Sequence, residues 1–180
     1  MISIRAGAVT LVALLTTVVF VSNAKPSSQF DKASRSVTGQ KGEREMDRAV
    51  KEFFLEYERA NSSSDVLAIG RLYSENFMFA GPHGVRPVQK RDFLNVLPKM
   101  KEHFASLGLS ETHLQTVDVT PLDSNYVLAK VGWRMKLTKS FSPRYVDAFA
   151  TYVLARGQQD AFSIVFQLDH QDLATVIQNP

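Results

Sequence analysis

The 180-residue chain contains no cysteine. That absence excludes thiol nucleophiles, thiolate metal sites and redox exchange, and it leaves core packing to hold the fold together. Histidine is scarce, with four residues at 83, 103, 113 and 170. None stands at His-x-His or His-x-x-x-His spacing, so no metal site is expected. A Gly-x-Ser-x-Gly elbow, a Gly-rich phosphate loop and a dinucleotide fingerprint are all missing, and no cofactor is expected. An excess of one charge is missing too. Lys and Arg number 21 against 18 Asp and Glu, a net +3. The densest basic group, Lys130, Arg134, Lys136, Lys139 and Arg144, reads as a solvated strand face, and no nucleic-acid partner is expected.

Long apolar runs are confined to the first residues. Met1 to Ala24 carries Arg5, then Ala6 to Val21 without a charge, then Ser22-Asn23-Ala24. That is the pattern of a secretory signal peptide, too short for the roughly 20 residues of a membrane-spanning helix. The expectation is a secreted or periplasmic protein with no stable membrane span after signal removal. Residues 25–42 are Ser, Lys, Gln, Thr and Gly around a lone Phe30, a composition read as a flexible leader. One domain then occupies 43–178, a length that buries about two-thirds of its unfolded surface.

Within that domain Met46, Val50, Phe53, Phe54, Tyr57 and Ala60 recur at three- and four-residue steps and predict a helix over 43–61. Ser62-Ser63-Ser64-Asp65 ends it and caps a second, shorter helix bearing Val66, Leu67, Ile69, Leu72 and Tyr73. Phe77-Met-Phe-Ala80 reads as a short strand running into the turn cluster Gly81-Pro82-His83-Gly84. A third helix over 90–107 should kink or split at Pro98. Beyond Gly108 the period changes from 3.6 to 2, with strands expected at 112–120, 126–138, 146–156 and 161–170 and a polar, loosely packed end at 171–178. Helices first and an antiparallel meander last make an α+β domain in which the sheet wraps round the long helix.

The last two strands form the most informative feature. If Gln158 and Gln159 are the turn, residues whose numbers sum to 317 face each other. One face then reads Asp147/His170, Phe149/Leu168, Thr151/Phe166, Val153/Ile164 and Ala155/Phe162, apolar with a polar rim.

This order of elements resembles the nuclear transport factor 2-like superfamily, of which SnoaL-like and ketosteroid isomerase-like proteins are branches. The residues carrying the resemblance are Phe77-Met-Phe-Ala-Gly-Pro-His-Gly84 after two amphipathic helices and Val117-Asp-Val-Thr-Pro-Leu-Asp-Ser-Asn-Tyr-Val-Leu-Ala-Lys-Val-Gly-Trp133 entering the meander. The resemblance implies a cone-shaped barrel, a curved antiparallel sheet wrapped around N-terminal helices. It does not imply one activity, since such cones serve as isomerases, dehydratases, cyclases, hydrolases and non-catalytic modules. Aligned with the ketosteroid isomerase branch, the base position is Gly81, the donor carboxylic acid falls at Thr151 and the donor tyrosine near Phe53. All three catalytic residue types are missing, which disfavours steroid isomerisation.

The same alignment points Ala129, Val131 and Trp133 inward. Trp133, Phe149, Thr151 and Phe166, with Tyr57 from the first helix, are therefore the candidate ligand-binding residues, and the expected ligand is a small apolar or aromatic molecule. Asp147 and His170 are the candidate catalytic pair, because a carboxylate opposite an imidazole would hold one tautomer and raise its basicity. The competing reading is an exposed strand-end ion pair worth about 0–1 kcal/mol. His83, in the turn near the cone entrance, is a third candidate base, whereas His103 and His113 look like surface residues. On the convex face Ala148, Ala150, Tyr152, Leu154 and Val165 would be exposed in a monomer, which suggests a homodimer through that face. Three functions stay open: an exported small-molecule-binding domain, a cofactor-free lyase, isomerase or hydrolase, and a non-catalytic envelope interaction module.

Overall fold

The computed structural model describes residues 30–63, 65–138, 142–158 and 161–178, with side chains from 41 onward. The chain divides into two units, 1–37 and 38–180. Of the first, residues 30–37 are described and are helical. The signal segment 1–24 lies outside the described residues.

Helix α1 is Phe30–Ser62, longer than the apolar period indicates. Residues 30–42, read from composition as a leader, are thus helical. The periodic signal begins only at Met46 because 41–45 is fully solvent-facing and has no stripe to bury. From Val50 onward the stripe is real: Val50, Phe53, Phe54 and Ala60 are all buried. Asp65 caps α2 (Val66–Arg71), its Oδ1 accepting from Leu67 N at 2.9 Å and Ala68 N at 3.0 Å.

Strand β1 (Tyr73–Gly81) turns through Pro82-His83 into β2 (Gly84–Gln89), with Gly81 paired to Gly84. Gly84 sits at φ +118°, a backbone region that a side chain would strain, which is why this two-residue turn closes on glycine. Strand β2 was not foreseen because Pro87 and four exposed positions hide its alternation. Helix α3 (Lys90–Ser106) runs through Pro98 without splitting. Pro98 lies on the exposed side, where water can take up the carbonyl that loses its donor.

Strands β3 (Leu109–Pro121), β4 (Tyr126–Leu137), β5 (Arg144–Arg156) and β6 (Phe162–Asp169) follow, then a short helix α4 (Leu173–Gln178) in the segment expected to be loose. The six strands form one curved, unclosed sheet in the order β2-β1-β6-β5-β4-β3. The meander is antiparallel, but β1 joins β6 in parallel, with Ala80 beside Leu168.

Two apolar clusters fill the concave side. The larger packs α1 and α2 against β1, β4, β5 and β6. The smaller gathers Met135, Leu137, Val146 and Ala148 under Ile177 of α4, with Phe104 and Leu107 at the end of α3. No helix among the described residues is long and apolar enough to cross a membrane.

A charged chain ties α1 to edge strand β3. Glu58 Oε1 meets His113 Nδ1 at 3.1 Å, its Oε2 accepts from Leu114 N at 2.9 Å, and His113 Nε2 meets Glu111 Oε2 at 3.1 Å. Lys136 Nζ completes the chain on Glu111 Oε1 at 2.7 Å. Both ring nitrogens face carboxylates, so only the imidazolium satisfies both. Glu111 first, and then Glu58, hold the His113 pKa above its ordinary value of 6.5. A histidine raised on folding contributes stability below its unfolded pKa and loses it as pH rises through the folded one. The melting temperature of the wild type is therefore expected to fall as pH rises from about 6 to about 9, and His113→Gln should flatten that slope. Calorimetry across that range checks this, and an identical slope in both proteins would refute it.

Candidate functional site

The register of β4 on β5 decides which side chains meet. Trp133 stands opposite Ala148, Val131 opposite Ala150 and Ala129 opposite Tyr152. Opposed residues share a face. With Trp133 buried at 7% exposure, the inward residues of β5 are therefore Ala148, Ala150, Tyr152 and Leu154, all buried. These are four of the five residues expected on the convex dimer surface, and they are core instead; the fifth, Val165, is half-buried.

Phe149, Thr151 and Phe166 consequently lie on the convex side, away from Trp133. Phe149 is 49% exposed and lies over Gly132, where an added Cβ would come within 3.3 Å of the ring. The β5–β6 register also differs from the expected sum of 317: Thr151 faces Leu168 and Val153 faces Phe166, then a bulge shifts Leu154 onto Ile164. The connection is longer than a two-residue turn, with Gly157 N bonded to Ala161 O at 2.7 Å. Of the five expected ligand-binding residues, only Tyr57 and Trp133 share the interior, their rings 5.6 Å apart.

The three candidate bases scatter. Arg134 clamps Asp147 with two hydrogen bonds, at 2.8 and 3.0 Å, and holds its carboxyl below the usual range. His170 instead meets Thr151 Oγ1 at 2.8 Å on the exposed convex side. His83, also exposed, pairs at 2.9 Å with Asp172, which lies between β6 and α4. No Asp147–His170 dyad exists. Arg134 outcompetes His170 for Asp147 because the β4–β5 ladder places it directly opposite.

The interior holds a different constellation. Tyr57 of α1 and Tyr73 of β1 touch through their hydroxyls at 3.1 Å. Tyr73 donates to Gln167 Oε1 at 2.6 Å, and Gln167 Nε2 donates to Asp169 Oδ1 at 2.8 Å. Direction follows from proton counting. Tyr73 has one proton and spends it on Gln167, so its oxygen must accept from Tyr57. Asp169, an acceptor when ionised, demands the NH2 end of Gln167, which turns Oε1 to Tyr73. Every proton in the chain points towards Asp169.

Tyr152 extends the cluster, its ring 5.0 Å from Phe54 and 6.2 Å from Tyr57. Burial drives Tyr73 and Tyr152 well above the ordinary tyrosine value, and Tyr57 above it, so all three stay protonated donors. Burial likewise raises the Asp169 carboxyl, opposed by the Gln167 amide and the charge of His170.

Asp169 projects from the last inward position of β6, in line with Ala150 of β5. On its other side β1 ends at Gly81, one residue past the Ala80–Leu168 pair, and a Cβ there would lie 3.9 Å from the Asp169 carbonyl oxygen. Asp169 thus sits in the sheet between Ala150 of β5 and the end of β1, where the Phe79 ring edge lies 3.7 Å from the same Cβ position at Gly81. Gly81, the position that the sequence alignment sets against the base of the ketosteroid isomerase branch, lies beside the backbone of Asp169 on the neighbouring strand. Thr151 does not occupy the inward donor position; Tyr152, one residue on, faces in.

Sequence reading missed Tyr73, Tyr152, Gln167 and Asp169. Tyr73 was taken into the second helix. Gln167 and Asp169 alternate in an otherwise apolar strand, a visible signal, but the bulge between Val153 and Leu154 puts them on the face of Ile164. Among the described residues no group of three His, Asp or Glu is placed to hold a metal ion.

No curated protein matches the chain. Solved structures do. An NTF2-like protein with a cystatin-like fold from Novosphingobium aromaticivorans is 16% identical, with 85% of this chain and 98% of that one covered and a TM-score of 0.57. ActVI-ORFA from Streptomyces coelicolor is 12% identical over 70% of this chain and 97% of that one, at 0.58. A ketosteroid isomerase-like protein from Erwinia carotovora atroseptica is 9% identical over 69% and 94%, at 0.54. At such identities the likeness shows the fold alone. Residues 44–172 match the family described as NTF2-like protein (DUF6841), well over half of the chain. With that match spanning the element order and the cone interior built above, the chain belongs to this NTF2-like family.

Proposed function

We infer that this protein is an exported small-molecule-binding NTF2-like domain whose ligand is held at the Asp169 end of the tyrosine chain. Export rests on the uncharged run Ala6 to Val21 and the Ser22-Asn23-Ala24 ending. One observation carries the binding reading. Asp169 is a half-buried carboxyl at the end of an ordered hydrogen-bond chain, with one hydrogen bond, from Gln167, among the described residues. Buried polar groups are ordinarily satisfied on all sides, so a carboxyl left with spare acceptor capacity suits an incoming donor.

Native mass spectrometry of the protein purified from its own host tests the reading, because a retained small molecule identifies the class of ligand. Asp169→Asn should weaken that ligand at least tenfold while leaving the far-ultraviolet spectrum intact, since one charge-assisted hydrogen bond is worth about 1.5–3 kcal/mol. Unchanged affinity in the variant, with ligand-induced shifts confined to the convex face, would refute it. A catalytic reading has its own support: burial raises the proton affinity of Asp169, as a general acid or base requires. A cofactor-free lyase, isomerase or hydrolase would then show turnover whose pH profile follows this carboxyl.

A further inference from the structure

We propose that the ligand is a small organic cation, an amine with an apolar or aromatic body whose ammonium group sits on Asp169. This rests on the binding reading above and adds the chemistry of the ligand.

The donor inventory comes first. Tyr57 spends its proton on Tyr73, Tyr73 on Gln167, and the Gln167 amide faces Asp169. The chain therefore presents no free hydroxyl proton at its carboxyl end. What remains at that end is acceptor capacity, since an ionised carboxylate offers about four lone-pair sites and Gln167 fills one. A ligand must donate to be held there. Ketones, ethers and carboxylates have nothing to donate.

Charge points the same way. Among the described residues, no lysine, arginine or histidine forms an ion pair with Asp169. The nearby cationic groups are engaged elsewhere. Arg86 lies over the Phe79 ring at 5.8 Å, and the imidazole of His170 bonds Thr151 on the convex side. The charge of His170 acts on Asp169 only as the smallest of the influences on that carboxyl, behind burial and the Gln167 amide. A partly desolvated carboxylate with one amide donor gains more from an ammonium than from a neutral hydroxyl, because the cation supplies both hydrogen bonds and opposite charge.

The surroundings suit a cation. Tyr57, Tyr73 and Tyr152 all feel the charge of Asp169, and Phe77 and Phe93 pack on Tyr73 at 4.7 and 4.9 Å. Aromatic rings attract cations, so an ammonium on Asp169 would border an aromatic cluster.

Three molecules of near-equal shape provide the test: 2-phenylethylamine, 2-phenylethanol and phenylacetate, titrated at about pH 8, well above the ordinary carboxylate range. Trp133, the sole tryptophan, reports occupancy by fluorescence, and calorimetry gives the affinities. The amine is expected to bind at least about tenfold tighter than the alcohol, and phenylacetate not at all. In Asp169→Asn the amine preference should vanish while the folded spectrum persists. An alcohol or acid that binds as tightly as the amine, in an Asp169-dependent way, overturns the amine class and leaves the binding reading standing. Absence of binding by all three at millimolar concentration overturns both. If Asp169→Asn fails to fold, the amine-to-alcohol ratio in the wild type still decides.

Discussion

Phe54→Ala is expected to lower the unfolding free energy by about 3–5 kcal/mol. Phe54 is fully buried, at 0% exposure, and its ring is the joint between α1 and the sheet. It stands 5.0 Å from Tyr152 on β5, 6.3 Å from Trp133 on β4 and 5.2 Å from Phe53 on its own helix, the last two edge-on. Removing it deletes apolar area and leaves a cavity between a rigid helix and a hydrogen-bonded ladder, neither of which can collapse into the gap. Urea denaturation followed by Trp133 fluorescence measures the loss directly. A loss below about 1 kcal/mol would mean that the helix is not seated on the sheet as described.

Tyr73→Phe should cost about 1–3 kcal/mol although it removes a single oxygen and no packing. The hydroxyl is at once the acceptor for Tyr57 and the donor to Gln167. Its deletion orphans a buried donor on one side and a buried amide oxygen on the other. The effect should also reach Asp169. With Oε1 unheld, Gln167 is free to rotate away, and because its amide lowers the Asp169 pKa, that pKa should rise further in the variant. Carboxyl carbon shifts in an NMR titration report this second effect, and it separates an ordered chain from mere space-filling. A Tyr73→Phe protein of wild-type stability with an unmoved Asp169 titration would show that the chain carries no such coupling.

Much of the fold was legible because periodicity is a local property. The stripe Val50, Phe53, Phe54, Ala60 marks α1 wherever it ends up, and Asp65 caps α2 through its own next three residues. In β4 the alternation agrees with the alignment to the ketosteroid isomerase branch that points Ala129, Val131 and Trp133 inward, and all three are buried. Tyr57 and Trp133 were recognisable for the same reason. Other elements stayed hidden where local signals were weak or contradictory, such as β2 with Pro87 and α4 with its single buried Ile177.

The candidate site was the part that could not be read. Strand β5 is apolar on both faces, Ala148, Ala150, Tyr152 and Leu154 on one side and Phe149, Thr151 and Val153 on the other, so amphipathicity does not choose between them. Parity is settled by the pairing of Trp133 with Ala148, a contact across a connection whose length in space is not written in its residues. A bulge then turned Gln167 and Asp169 inward, and the parallel β1–β6 pairing brought Tyr73 and Gly81 to them. Composition and short-range spacing were enough for the class of fold, the helices and the inward face of β4, since each depends on residues within a few turns of one another. Which face of β5 lines the interior, and that four residues from three separate segments join into one proton-ordered chain ending at Asp169, was decided by strand register and by the seating of α1 on the sheet, because a shift of one residue exchanges inside for outside along a whole strand.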